Sequence, residues 1–233
     1  MKNRNFILFP ILASLFLIAS CSKKDKQPDT QTPEPVIAVS ELTDYYIAIK
    51  SSNPAFAVIL FDKDGSNVKW SCHWLGGLRQ ANATLKHIDN TAKTAELQID
   101  LDAPGSRSMI FKIVKNAAGD LSIRSSAGEG AVGNINLAVL IKKSSLSGLV
   151  LNGSSFQVNQ NNNLVYRFLA DDNFRFVQSG IVQWTKKYYA LSGDVGFKSN
   201  DDQHFGVFIS DGGNFGFEMR STDGSTTVAQ KMP

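Results

Sequence analysis

The spacing of the apolar residues limits this chain's folding options most. From Tyr45 onward they come in short runs cut by Gly, Asn and Asp. Phe56–Phe61 stops at Asp62-Lys63-Asp64-Gly65, a hairpin-type turn, and Val68-Lys69-Trp70 resumes. Leu97–Leu101 alternates, Ile110–Val114 follows Pro104-Gly105, and Asn134–Ile141 is another run. In the C-terminal third, Leu164–Leu169, Phe174–Val177, Ile181–Trp184, Tyr188–Leu191, Phe205–Ile209 and Phe215–Met219 read as six strands. Phe215, Phe217 and Met219 alternate with Gly216 and Glu218, the period of a half-buried strand. The pattern predicts an all-β protein, an antiparallel meander forming a barrel or a sandwich. Only Leu75–Ile88 carries a helical period, with Gly76 and Gly77 at its start against it.

A shift of 94 residues places Leu97 on Leu191, Asp100 on Asp194, Phe111 on Phe205 and Gly119 on Gly213. Two readings are open: a duplicated β-meander giving two tandem β units, or two hairpin-rich segments aligned by chance. Under the first, the break falls in the polar stretch Lys142–Gly148.

The N-terminus has a different character. Lys2 and Arg4 precede Phe6–Ala19, an apolar stretch of 14 residues. As a helix it would span about 21 Å, short of the roughly 30 Å hydrocarbon core, so it reads as a secretory leader. Leu17-Ile18-Ala19-Ser20-Cys21 resembles the lipobox of bacterial lipoproteins. That resemblance implies a thioether diacylglyceryl group on Cys21, cleavage before it and acylation of the new amino group. Several acyl chains give stable anchoring where one gives marginal binding. Ser22, where the family's inner-membrane retention signal has Asp, implies the outer membrane of a Gram-negative cell. Ser22-Lys23-Lys24-Asp25-Lys26 partly resembles a surface-export run, so the periplasmic and surface faces are both open.

The organisation expected is a signal peptide over 1–20, a lipid-anchored tether over 21–39, and β units over 40–145 and 146–233. Pro28, Pro33 and Pro35 among polar residues make the tether an extended spacer. Tyr166–Phe176, Trp184 and Tyr188–Gly193 resemble lipocalin-like domains of secreted bacterial lipoproteins in rhythm, without the Gly-x-Trp signature.

Charge adds little. The chain has 24 Lys and Arg against 21 Asp and Glu, and the leader takes two of the basic residues. That near-balance speaks against nucleic acid as a partner. Mean hydropathy of −0.13 excludes a multi-pass membrane protein.

Few residues suggest chemistry. Cys72 and His73 are adjacent, so a strand would point them to opposite faces, and Cys72 reads as a small buried hydrophobe. His73, His87 and His204 have no metal-ligand spacing, and no metal or cofactor is expected beyond the covalent lipid at Cys21. Asp62-x-Asp64-Gly65-x-Asn67 lacks the closing Glu of a calcium loop and reads as a turn. Asp171-Asp172 and Asp201-Asp202 lie between strands, and no hydrolase or phosphate-loop motif is present. Trp184, Tyr188 and Tyr189, beside Lys186 and Lys187, are the candidate ligand-binding residues, since aromatic faces stack on sugars and line apolar calyces.

The expectation is a non-enzymatic envelope module that binds an apolar small molecule, a glycan or an envelope protein. The alternatives are an envelope hydrolase acting on polysaccharide or peptide, and a structural or assembly subunit. An aromatic-lined cavity favours the first, paired carboxylates in a cleft the second, and a filled core with an open edge the third. Cys21→Ala is expected to abolish acylation, as read by intact mass of the membrane fraction. A lipid-bearing Cys21→Ala protein would refute the anchor.

Overall fold

Each of the short apolar runs forms part of a strand, and the strands of each sheet pair antiparallel. The computed structural model describes residues 36–233 apart from 160 and 212; the leader, Cys21 and tether residues up to 35 lie outside the described residues. Residues 36–39 are packed: Ile37 is fully buried, and the Val36 N–H donates to Asn90 Oδ1 at 3.0 Å. No helix among the described residues is long and apolar enough to cross a membrane.

The first nine strands are β1 (Tyr45–Ser51), β2 (Ala57–Asp64), β3 (Asn67–Trp74), β4 (Gly77–Asn82), β5 (Leu85–Asp89), β6 (Thr94–Asp100), β7 (Arg107–Lys115), β8 (Leu121–Gly130) and β9 (Ile135–Lys142). They form two sheets, ordered β4-β3-β2-β1-β9 and β5-β6-β7-β8. Ile47, Ile59, Phe61 and Trp70 of one sheet meet Leu97, Ile99, Phe111 and Ile113 of the other in one core cluster, so this part is a sandwich. The Asp64-Gly65 turn is a tight hairpin: Asp64 pairs with Asn67, and Gly65 takes φ +61°.

The remaining strands are β10 (Ser155–Val158), β11 (Asn161–Phe168), β12 (Asn173–Gln178), β13 (Ile181–Ala190), β14 (Gly196–Ser199), β15 (His204–Asp211), β16 (Asn214–Ser221) and β17 (Thr226–Lys231). Each pairs with the next and β17 closes on β10, giving an eight-stranded up-and-down barrel. The inward positions are filled by rings: Phe156, Phe168, Phe174, Phe197, Phe208 and Phe217 are all fully buried. They meet largely edge to face, as with Phe168 and Phe197 at 5.1 Å and 83°. Gly206 is part of that packing, because a Cβ there would lie 2.2 Å from the Phe197 ring.

β1 and β2 are buried on both faces. Ile47, Ile49, Ile59 and Phe61 point into the sandwich, while Tyr46, Val58 and Leu60 join Val207 and the barrel residues in a second cluster. Phe56 meets Phe205 of the outer barrel wall at 5.8 Å and 71°. The Tyr46 hydroxyl, fully buried, donates to the Phe208 carbonyl at 2.6 Å. The sandwich and barrel therefore share apolar surface and lie within one compact unit.

At three places the structure refines the strand reading. The helical period over Leu75–Ile88 belongs to β4 and β5, with Gly76 (φ +83°) in the turn between β3 and β4. Ile181–Trp184 and Tyr188–Leu191 are one continuous strand, β13, that ends at Ala190. The 94-residue shift matches the β7–β8 hairpin with the β15–β16 hairpin, including Gly119 and Gly213 at φ +90° in both turns. It does not map the meander strand for strand, because β6 pairs with β7 whereas Leu191 lies outside β14, the strand that pairs with β15.

Tyr46→Phe keeps the ring and removes the buried hydrogen bond. It is expected to cost about 1 kcal/mol of stability in urea unfolding, the usual worth of one such bond. An unchanged midpoint would mean that the hydroxyl contributes nothing to joining the sandwich and the barrel.

Candidate functional site

The aromatic residues singled out from sequence do not gather at one surface. Trp184 and Tyr188 share the inward face of β13 and are part of the barrel core. Trp184 lies 5.2 Å from Phe174 at 83°, and Tyr188 5.2 Å from Phe168 at 87°. Tyr189 points the other way, half exposed on the outer wall. Lys186 and Lys187 are strand residues, not loop residues. The Lys186 ammonium sits 5.5 Å over the Trp184 ring and pairs with Asp201 at 2.6 Å.

Ser199, Asp201 and His204 cluster at one end of the barrel, but not in a nucleophilic arrangement. The buried Ser199 hydroxyl donates to Asp201 Oδ1 at 2.6 Å and accepts the backbone N–H groups of Gln203 and His204. These contacts stabilise the turn between β14 and β15. The His204 ring packs against Trp184 at 4.9 Å and Phe174 at 5.8 Å, and its Nδ1 has no partner. Burial, with the nearby Lys186 charge, pushes its pKa down to about 4. For Asp201, burial acts upward, but hydrogen bonds from Lys186, Ser199 and the Gln203 N–H hold it at about 2.

Cys72 is fully buried in the sandwich core and its thiol is pushed up to about 12 by burial. His73 faces the other way and hydrogen-bonds Ser71 Oγ at 3.1 Å. Asp62 and Asp64 are strand residues, with Asp64 paired to Lys69 at 2.7 Å. Among the described residues no group of three or more His, Cys, Asp or Glu could hold a metal ion.

A concave, mainly apolar site lies where the first sheet and the barrel diverge. Ala48 of β1 and Leu137, Val139 and Ile141 of β9 form one wall, and Val207 and Ile209 of β15 the other. Phe56 lies in the same lining. The cleft holds about 300 Å³. Register places these side chains: Ala48 pairs with Val139 and Lys50 with Leu137, so all four share the barrel-facing side of the sheet. At the rim, Lys50 Nζ meets Glu218 Oε1 at 2.6 Å, with the carboxylate mostly covered. Leu137, Val139 and Ile209 remain 46%, 40% and 38% exposed, high values for aliphatic residues facing one another.

No protein-family model matches the chain, and no curated protein matches it. The functional reading therefore rests on the site itself. Sequence reasoning missed this cleft, although one signal was present. Ile135–Ile141 (Ile-Asn-Leu-Ala-Val-Leu-Ile) has apolar residues on both faces, which a strand with one solvated face does not need.

His204 gives a test in pH. Its folded pKa lies below the unfolded value, so the unfolded state binds more protons between about pH 6.5 and pH 4. Its contribution to stability is complete above that window and is lost as pH falls through it. His204→Phe is expected to flatten that part of the melting temperature against pH curve. An equally steep decline in the variant would assign it to other groups.

Proposed function

We propose that the protein is a lipid-anchored binding module of the bacterial outer membrane, and that the cleft between its first sheet and its barrel takes a small apolar molecule. Three features support this reading. The Leu17–Cys21 pattern resembles a lipobox, with Cys21 as the acylation site. The barrel has the lipocalin-like up-and-down order, but its interior is filled with aromatic rings, which directs binding to the outside. The cleft carries the argument: its opposed aliphatic side chains stay exposed, and an apolar molecule between them would remove that surface from water at about 25 cal/mol per Å².

At about 300 Å³ the cleft lies at the lower end of ligand-pocket sizes, roughly 300–1,000 Å³, which favours a single chain or ring. Its lining holds one carboxylate, Glu218, tied to Lys50. Glycoside hydrolysis generally needs two, so the cleft favours binding over polysaccharide hydrolysis.

Titration with N-phenyl-1-naphthylamine, a dye that brightens in apolar surroundings, tests the reading. Saturable binding is expected, displaced by a medium-chain fatty acid. Val139→Glu and Ile209→Glu, both at exposed positions, are each expected to weaken it at least fivefold. No saturable binding, or binding untouched by either substitution, would remove the cleft as the site.

A further inference from the structure

We infer that the row Ser155–Arg167–Arg175–Thr185 on the outer wall of the barrel is a binding site for a phosphate-type oxyanion. Strand pairing builds the row. Arg167 of β11 lies directly opposite Arg175 of β12, Ser155 of β10 flanks Arg167, and Thr185 of β13 flanks Arg175. All four point outward, since their chain neighbours Phe156, Tyr166, Phe168, Phe174, Phe176 and Trp184 pack in the barrel cluster.

Two like charges directly opposite on one sheet face oppose folding, so the pairing calls for something that offsets it. Among the described residues no carboxylate lies within ion-pair distance of either guanidinium. The ten pairs found involve Lys50, Lys69, Arg79, His87, Arg107, Lys115, Lys142, Lys143, Lys186 and Lys198. The sequence explains part of this: β10 to β13 contain Arg167, Arg175, Lys186 and Lys187 and no Asp or Glu. Arg175 Nε is buried and has no hydrogen-bond partner. A buried N–H of that kind costs free energy until an acceptor reaches it.

The ligand chemistry follows from the donors. Two guanidinium forks side by side match the oxygens of a phosphate group, and the flanking Ser155 and Thr185 hydroxyls add donors at each end. The next pair along, Val165 and Val177, is nearly fully buried on this same face. The anion would thus lie against a partly dry floor, where its attraction to the arginines is less screened. The phosphate could be free or part of a lipid headgroup, and the two sources are separable.

The experiment titrates the full chain with inorganic phosphate and, separately, with phosphatidylcholine vesicles with and without phosphatidate. Wild-type protein is expected to bind at least one probe saturably. The double variant Arg167→Gln/Arg175→Gln should bind at least tenfold more weakly. Thr185→Val, an exposed and conservative change, should weaken binding severalfold with the fold intact by near-ultraviolet circular dichroism. Binding of inorganic phosphate assigns the site to the free ion, and binding to phosphatidate vesicles alone assigns it to a headgroup. If neither probe binds saturably, or the double variant binds like wild type, the inference fails.

Discussion

The two-sided burial of β1 and β2 holds this structure together. A strand pair with one wet face could close the sandwich alone, leaving the barrel as a separate bead. Here Tyr46, Val58 and Leu60 present a second apolar face to the barrel, and the Tyr46 hydroxyl satisfies a barrel carbonyl. The apolar surface involved cannot be exposed in one part without being exposed in the other. The cleft is the geometric remainder of that contact. It forms where β9 extends the sheet beyond the reach of the barrel wall, and Leu137 and Val139 are left facing Ile209 across open space.

The barrel shows how interior packing decides which surfaces stay open. Eight strands enclose an interior that side chains can fill or that can hold one small ligand. Large rings at inward positions, with Gly206 making room for Phe197, give the filled form. Inward polar groups such as His204 then become matters of stability and pH. The surfaces left open are on the outside: the apolar cleft on the side of β15 and the arginine row on the side of β11 and β12. The two surfaces differ in chemistry and are built by different strands.

Much of the fold was legible because hydrophobic period reports strand faces directly. Phe56–Phe61 and Ile135–Ile141 lack polar alternation: β2 is covered on both faces, and β9 faces the sandwich core on one side and the open cleft on the other. The helical period at Leu75–Ile88 arose where two short strands and a Gly76 turn happened to repeat near 3.6 residues. Trp184, Tyr188 and Tyr189 looked like one aromatic group because they are close in sequence. In a continuous strand, parity sends the first two inward and the third outward. The arginine row was beyond sequence reading, since nothing local shows that Arg167 and Arg175 will sit in register. The cleft needed two surfaces from distant parts of the chain to meet at an angle.

The account stands on the sandwich and barrel unfolding as one cooperative body. Equilibrium urea unfolding of two single-tryptophan proteins tests this most directly, one reporting Trp70 in the sandwich core and the other Trp184 in the barrel. One shared midpoint, with one slope sized for the whole folded region, is the result expected. Two separate midpoints, with Trp184 fluorescence native after Trp70 has become exposed, would contradict it.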